Sequence, residues 1–302
     1  QLDADIGIFF GQCTNKSIGK SNLNSSDILA IGSHGQTIWH SPLGSAPYSW
    51  QIGNPSIITA RTLISTVSDF RNLDMAFGGQ GAPLVPAFHS AFLGESNRSR
   101  IVLNIGGIAN ISILDKESSM AIGYDTGPGN CLMDLWHQLH TGEQYDKGGA
   151  SARAGEILPE LLERFLEEDF FRKEGPKSTG RETFNLDYIN SAIKSVGNRE
   201  NFSPEDIQAT LLELTVVSIA SNIHVLKPHN IKDIYLCGGG GANIFLVEQL
   251  KKALDSCVVK STADLGIDPD HVESCAFAWL AQQRISGRPV TLSTGGERKQ
   301  LV

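Results

Sequence analysis

Cysteine is sparse in this chain and shows no pairing pattern. Cys13, Cys131, Cys237, Cys257 and Cys275 are scattered, and no two form a Cys-x-x-Cys. That argues against a disulfide framework or a zinc knuckle and makes a reducing compartment the expectation. No uncharged apolar run reaches the ~18 residues that a membrane span needs. The best candidate, 209–226, is interrupted by Glu213, Asn222 and His224. The opening Gln1-Leu2-Asp3-Ala4-Asp5 lacks the basic start and apolar run of a signal peptide. It also lacks an initiator Met, so the chain is read as beginning inside a larger protein. Positive charge is short as well: 25 Lys and Arg stand against 33 Asp and Glu, a formal net charge of -8. A protein that coats nucleic acid is normally basic, so no nucleic-acid partner is expected. Three nucleotide signatures are missing. There is no GxxxxGK[ST], no kinase-type HRD or DFG, and 238–243 fails GxGxxG because Asn243 stands where the last Gly belongs.

What is present is enough for a folded protein. The 302 residues are 40% hydrophobic and 19% charged, a composition that can bury a core. At roughly 150 residues per domain, about two domains are expected. Leu2, Ile6, Phe9 and Phe10 share a helical face. Ile28 to Ile31 reads as a strand that delivers a polar loop at 32–37, and 84–93 reads as a helix. Ile101 to Ile105 is a buried-type strand; Gly106-Gly107 turns it into a return strand, a hairpin by pattern. Residues 123–130 read as a Gly-rich turn before a helix from Cys131 to about His140. Ser203-Pro204-Glu205-Asp206 is a helix start, with Leu212, Val216, Ile219, Ile223 and Leu226 on its apolar face. A strand at 233–237, a Gly turn and a helix at 244–254 follow, and Asp268-Pro269 precedes a last helix. Alternating strands and helices argue for an α/β class.

Three Gly-rich turns carry the chemical signal: 104–107, 125–130 and 238–243. Glycine lets backbone approach a ligand closely and lets several N–H groups converge on an anion. A helix start behind the turn adds favourable partial charge. One such turn is usually turn geometry alone; three in one chain point to a nucleotide or phosphate site. Asp125 is the foremost catalytic candidate, a carboxylate able to take a proton from water or hydroxyl. It could equally serve as an Asx-type turn. Asp69 and Arg71 could orient a hydroxylated or anionic ligand, or simply pair with each other. His34 could hydrogen-bond a ligand or be a satisfied loop histidine. Glu273 is where a helix dipole favours an acid. Lys177 to Glu182 could face phosphate or only solvent. No metal-ligand spacing is visible, and the metal ligands are left unknown.

The segments Ile31-Gly32-Ser33-His34-Gly35-Gln36-Thr37, Asp69-Phe70-Arg71, 78–86, 104–110, 125–130 and Gly180-Arg181-Glu182-Thr183-Phe184-Asn185 occur in one order across nearly the whole chain. In this the sequence resembles the anhydro-N-acetylmuramic acid kinase family. The resemblance implies a two-lobed actin-like (ribonuclease H-like) ATPase fold with a central cleft, its first lobe incomplete at the N-terminus. The expected lobes are 1–98, with 286–302 returning to it, and 99–285. The resemblance implies ATP, Mg²⁺ and 1,6-anhydro-N-acetylmuramic acid, opened by water and phosphorylated on O6 to N-acetylmuramate 6-phosphate in bacterial cell-wall recycling. It implies a cytoplasmic homodimer. Asp125 would be the base. Asp69, Arg71, His34 and Glu273 would bind the sugar. Asn104, Gly106 and Gly107 would form the second phosphate loop. Gly127 and Gly129 would lie near phosphate or substrate, and Gly238, Gly239, Gly240 and Gly241 by the adenosine. The sequence starts downstream of the family's first phosphate loop, which leaves an alternative expectation: a catalytically impaired sugar-binding or interaction protein on the same fold.

Overall fold

The computed structural model describes residues 1–42, 44–95, 97–118, 121–197, 202–226 and 231–290. The chain divides into two compact units, one of 1–92 with the segment from 273 onward, the other of 93–272. The last helix therefore groups with the first unit rather than with 99–285. Most of the tail expected to return to the first lobe, 291–302, lies outside the described residues.

Unit 1 is built from small sheets and helices. Helix α1 (Leu2–Lys20) is followed by β1 (Ile31–Gly32), then a hairpin of β2 (Gln36–Ser41) and β3 (Tyr48–Ile52). Next come α2 (Pro55–Thr62), β4 (Thr66–Val67), α3 (Phe70–Ala76) and α4 (Val85–Leu93). Strands β1 and β4 pair in parallel, and β2 and β3 pair antiparallel. The expected strand at 28–31 shrinks to Ile31–Gly32, and the polar loop expected at 32–37 already enters β2. Helix α2 starts where Asn54 accepts from Ser56 N and Ile57 N ahead of a Pro at its first position.

Unit 2 centres on a five-stranded sheet. Strands β5 (Arg100–Ile105), β6 (Ile108–Leu114) and β7 (Ile122–Pro128) form an antiparallel meander. After them come α5 (Cys131–Thr141), α6 (Ala150–Ala154), α7 (Pro159–Leu166), α8 (Asp169–Arg172), α9 (Leu186–Val196) and α10 (Pro204–His224). Then β8 (Asp233–Cys237), α11 (Ile244–Ala253) and β9 (Val258–Ser261) complete the sheet in the order β7-β6-β5-β8-β9. The last two strands are parallel to β5. This mixed order, with one antiparallel strand inside it, is the architecture expected of a ribonuclease H-like unit. Helix α12 (Val272–Ile285) closes the described chain.

The apolar pattern explains the core. Ile101, Leu103, Ile105 and Ile111 are 0% exposed, as expected of strands covered on both faces. Thirteen of the 21 residues of α10 are buried, Leu212, Val216, Ile219 and Ile223 among them, so this helix is core rather than cover. Its start is a capping box: Ser203 Oγ accepts from Asp206 N at 3.0 Å, and Asp206 Oδ2 accepts from Ser203 N. One element differs in kind from expectation. Residues 122–128 form a strand, not a turn, because β6 offers a full ladder from Ile113↔Ile122 to Ile108↔Pro128. The cost of placing Gly and Pro in a strand is absorbed by an edge position and a register shift at Ala109/Asn110.

Candidate functional site

Strands β5, β7 and β8 run in one direction, since β6 is antiparallel to β5 and β7 and β8 is parallel to β5. Their carboxyl ends, at Ile105, Pro128 and Cys237, therefore leave the same edge of the sheet. Each is followed by glycine. Open α/β sheets bind ligands outside the carboxyl ends of their strands, so the three Gly segments converge where a ligand is expected. Two of them are stitched together. Gly129 N donates to Gly107 O at 2.9 Å, Asn130 N to Gly106 O at 2.8 Å, and Cys131 N to Gly107 O at 3.1 Å. Thr215 Oγ1 of α10 donates to Gly129 O at 3.1 Å and fixes this turn on the core.

The third segment closes on the first. Gly238 has φ +81°, and a Cβ there would collide with the Asn104 side chain and the Ile105 backbone. Asn104 is paired with Cys237 in the β5–β8 ladder. Gly238 to Gly241 forms a tight turn, with Gly241 N donating to Gly238 O at 3.0 Å. Gly239 and Gly241 are exposed. Helix α11 begins directly behind, capped by Asn243 accepting from Leu246 N. Gly127 lies in β7 opposite Ala109.

Asp125 is on the same strand, three residues before its carboxyl end and opposite Asn110. Its backbone N donates to Lys177 O at 2.9 Å, and its carboxylate Oδ2 accepts from Thr179 N at 3.0 Å. Asp125 is half-buried and anchored at its backbone N and at one carboxylate oxygen, which suits a group that must meet a proton in one place. The segment from Lys177 therefore flanks β7. Lys177 itself is not free to face phosphate: Nζ donates to Phe170 O and Lys173 O and stands 4.6 Å from the Phe170 ring centroid. Burial and Lys173 lower its pKa. Arg181 reaches the other side of the site, where a Cβ on Gly107 would stand 3.3 Å from its guanidinium.

Asp134 was not singled out by sequence reasoning. It sits in the first turn of α5, and burial raises its pKa to about 6, against Arg181 and His137, which lower it, and with Asp146, which raises it. A bare Asp within an apolar run gave no signal of this. A titratable carboxyl tuned toward neutrality is a functional-site marker.

The remaining candidates lie in unit 1. Arg71 Nε donates to His34 Nε2 at 2.9 Å, and Arg71 Nη1 donates to Gly81 O at 2.7 Å. Burial, then the Arg71 charge, lowers the His34 pKa to about 4, so its imidazole is neutral at physiological pH and accepts through Nε2. The His34 ring packs 4.6 Å from Phe277 of α12. His34 and Glu273 line one cavity of about 700 Å³, with Ser33, Gly35 and Gln36. Asp69 lines a separate hollow, with Arg284 and Arg288. It is exposed and adopts the left-handed φ of +59° at the start of α3 without capping it. Its Oδ1 instead accepts from Asn72 Nδ2 at 2.7 Å, and Asn72 also bonds both backbone groups of Ser49 in β3. A strained polar residue of this kind marks functional sites.

The family model described as anhydro-N-acetylmuramic acid kinase matches residues 1–302. The protein of that name from Aliivibrio fischeri is 50% identical over 289 residues, 96% of this chain and 77% of its own length. The one from Pasteurella multocida is 46% identical over all of this chain and 79% of its own. Among solved structures, xylulose kinase from Rhodospirillum rubrum aligns at a TM-score of 0.41 and 12% identity, over 77% of this chain and 48% of that one.

Proposed function

The chain belongs to the anhydro-N-acetylmuramic acid kinase family, and from that premise we propose that it opens 1,6-anhydro-N-acetylmuramic acid with water and transfers a phosphoryl group from ATP to the freed O6. The product is N-acetylmuramate 6-phosphate. The observation that carries the reading is the meeting of three Gly segments at the carboxyl edge of one sheet, with the anchored Asp125 carboxylate on its edge strand β7.

The roles follow from the residues. Asp125 takes a proton from water as the oxygen attacks the anomeric carbon; the bond from that carbon to O6 breaks and frees O6. The O6 oxygen then attacks the γ-phosphorus of ATP, and ADP leaves. Asn104, Gly106 and Gly107 form a phosphate loop whose backbone donors meet phosphate oxygens, Gly127 and Gly129 lie near phosphate or substrate, and Gly238 to Gly241 lie by the adenosine. Preorganised backbone donors of this kind stabilise developing charge without reorganising. Arg71, neutral His34, Asp69 and Glu273 bind the sugar. ATP is taken with Mg²⁺. Among the described residues no three His, Cys, Asp or Glu gather into a cation site. A Mg²⁺ bound mainly by phosphates needs only one or two protein carboxylates. No helix among the described residues is long and apolar enough to cross a membrane. A cytoplasmic homodimer in bacterial cell-wall recycling is part of the proposal.

The test is phosphate transfer from ATP to the anhydro-sugar in the full-length protein and in Asp125→Asn. The expected result is a loss of at least 10³-fold in kcat in the variant, in line with losing a general base, with sugar binding retained. An active Asp125→Asn would overturn the assignment of the base. A folded parent that makes no 6-phosphate would overturn the function.

A further inference from the structure

Helix α3 carries a buried carboxylate that the proposed chemistry does not use. Asp74 is 1% exposed. Its Oδ2 accepts from Gly81 N at 2.8 Å, and its backbone carbonyl accepts from Gly79 N at 2.9 Å. The loop from Gly78 to Gly81 is thus tied to one residue, by its backbone carbonyl and by its side chain. Gly79 leaves room for this, since a Cβ there would collide with the Asp74 carboxylate. Gly81 sits at φ +69°, in the left-handed region that favours glycine. Its carbonyl then accepts from Arg71 Nη1, and Arg71 Nε donates to His34 Nε2. One line of hydrogen bonds runs from Asp74 through Gly81 and Arg71 to His34. A buried carboxylate is costly to desolvate. An apolar side chain would pack α3 more cheaply; it could not fix the Gly81 amide.

We propose that Asp74 is a positioning residue for sugar recognition: through the Gly78–Gly81 loop it sets the Arg71 guanidinium against His34. The proposal rests on reading Arg71 and His34 as substrate-binding residues. Asp74 itself touches no substrate. An arginine held at two of its nitrogens presents its remaining surface in one orientation, which is what bidentate recognition of a polar ligand requires.

The His34 imidazole reports on this latch without any turnover. Arg71 is one of the two causes that lower its pKa, and Glu273 and Cys13 are the other ionisable groups lining its cavity. The experiment is an NMR titration of the histidines in the parent, Asp74→Ala, Asp74→Asn and Arg71→Gln, with kinetics on the same proteins. Asp74→Ala is expected to raise the His34 pKa as far as Arg71→Gln does, and to leave the buried His89 unmoved. It should raise KM for the anhydro-sugar about 10-fold or more, with KM for ATP unchanged. A double variant carrying Asp74→Ala and Arg71→Gln should be no worse than Arg71→Gln alone, the signature of two residues acting in series. Asp74→Asn, whose amide oxygen can still accept from Gly81 N, should restore most of the loss. If Asp74→Ala does not fold, Gly79→Ala decides, because its Cβ forces the loop off an intact carboxylate. A His34 titration unchanged from the parent in the folded variants, or independent additive losses in the double variant, overturns the proposal. A His34 shift in a protein that binds no anhydro-sugar upholds the latch and overturns the sugar assignment of Arg71 instead.

Discussion

Acidification should weaken unit 1 and spare unit 2. Two buried imidazoles in unit 1 set the effect. The pKa of His34 is lowered from 6.5 to about 4 by burial and then by Arg71, and that of His89 from 6.5 to about 3 by burial. In both, the unfolded chain takes up the proton before the folded one does. Stability is therefore full above about pH 6.5 and is lost as pH falls, through about 4 for His34 and about 3 for His89. Between pH 7 and pH 5 the linkage relation gives a loss of about 2 kcal/mol per ring, and the partial exposure of His34 trims its share toward about 1 kcal/mol. Asp134 in unit 2 has the opposite sign. Its folded pKa is raised by burial from 3.8 to about 6, so its contribution is present at low pH and is lost as pH rises through 6. Unit 2 should gain from the same acidification. The assay is urea unfolding at pH 7 and pH 5 with peptide-resolved hydrogen exchange, which separates the units, on the parent and His34→Gln. The variant's unit 1 should lose about 1–2 kcal/mol less than the parent's over this range. Equal slopes in the two proteins, or a unit 2 that weakens in parallel with unit 1, would rule out the buried imidazoles as the cause.

Three further outcomes follow from packing, capping and backbone geometry. Leu103→Ala, at a fully buried site in β5, should cost about 3–4 kcal/mol in the unfolding of unit 2, measured by urea titration. Ser203→Ala removes the cap of α10 and should cost about 1 kcal/mol in the same assay, while leaving turnover unchanged. Gly238→Ala must abandon φ +81° or push Asn104 aside; ATP affinity by calorimetry should fall about 10-fold or more, with sugar affinity unaltered.

The sequence was legible where local chemistry and long-range packing agree. The Ser203 box and the three-four spacing behind it define α10 from both sides, and the structure buries that face. The β5 hairpin is written in its own apolar run and its Gly-Gly turn. Strand β7 was hidden because its residues Gly123, Gly127 and Pro128 disfavour a strand; only the β6 ladder holds them. The hairpin of β2 and β3 was hidden for a related reason. Trp39 and Trp50 pair across it yet stay 58% and 57% exposed, so no inward apolar face announces it. Candidate site residues were visible where they sit in glycine-rich or charged motifs. Their partners were not: Thr179 meets Asp125 54 residues away, and Asn72 ties Asp69 to Ser49, through contacts that only the folded chain brings together.

The proposed reaction couples two steps in one protein: hydrolysis of the anhydro ring and phosphorylation of the oxygen so released. The direct measurement is the reaction of the full-length protein with ATP and 1,6-anhydro-N-acetylmuramic acid in ¹⁸O-labelled water, read by mass spectrometry and phosphorus NMR. The expected product carries one ¹⁸O at the anomeric carbon and phosphate on O6 in the same molecule, with neither formed by Asp125→Asn. Phosphate at another position, or a 6-phosphate whose anomeric oxygen is unlabelled when quenched faster than exchange with water, would contradict it.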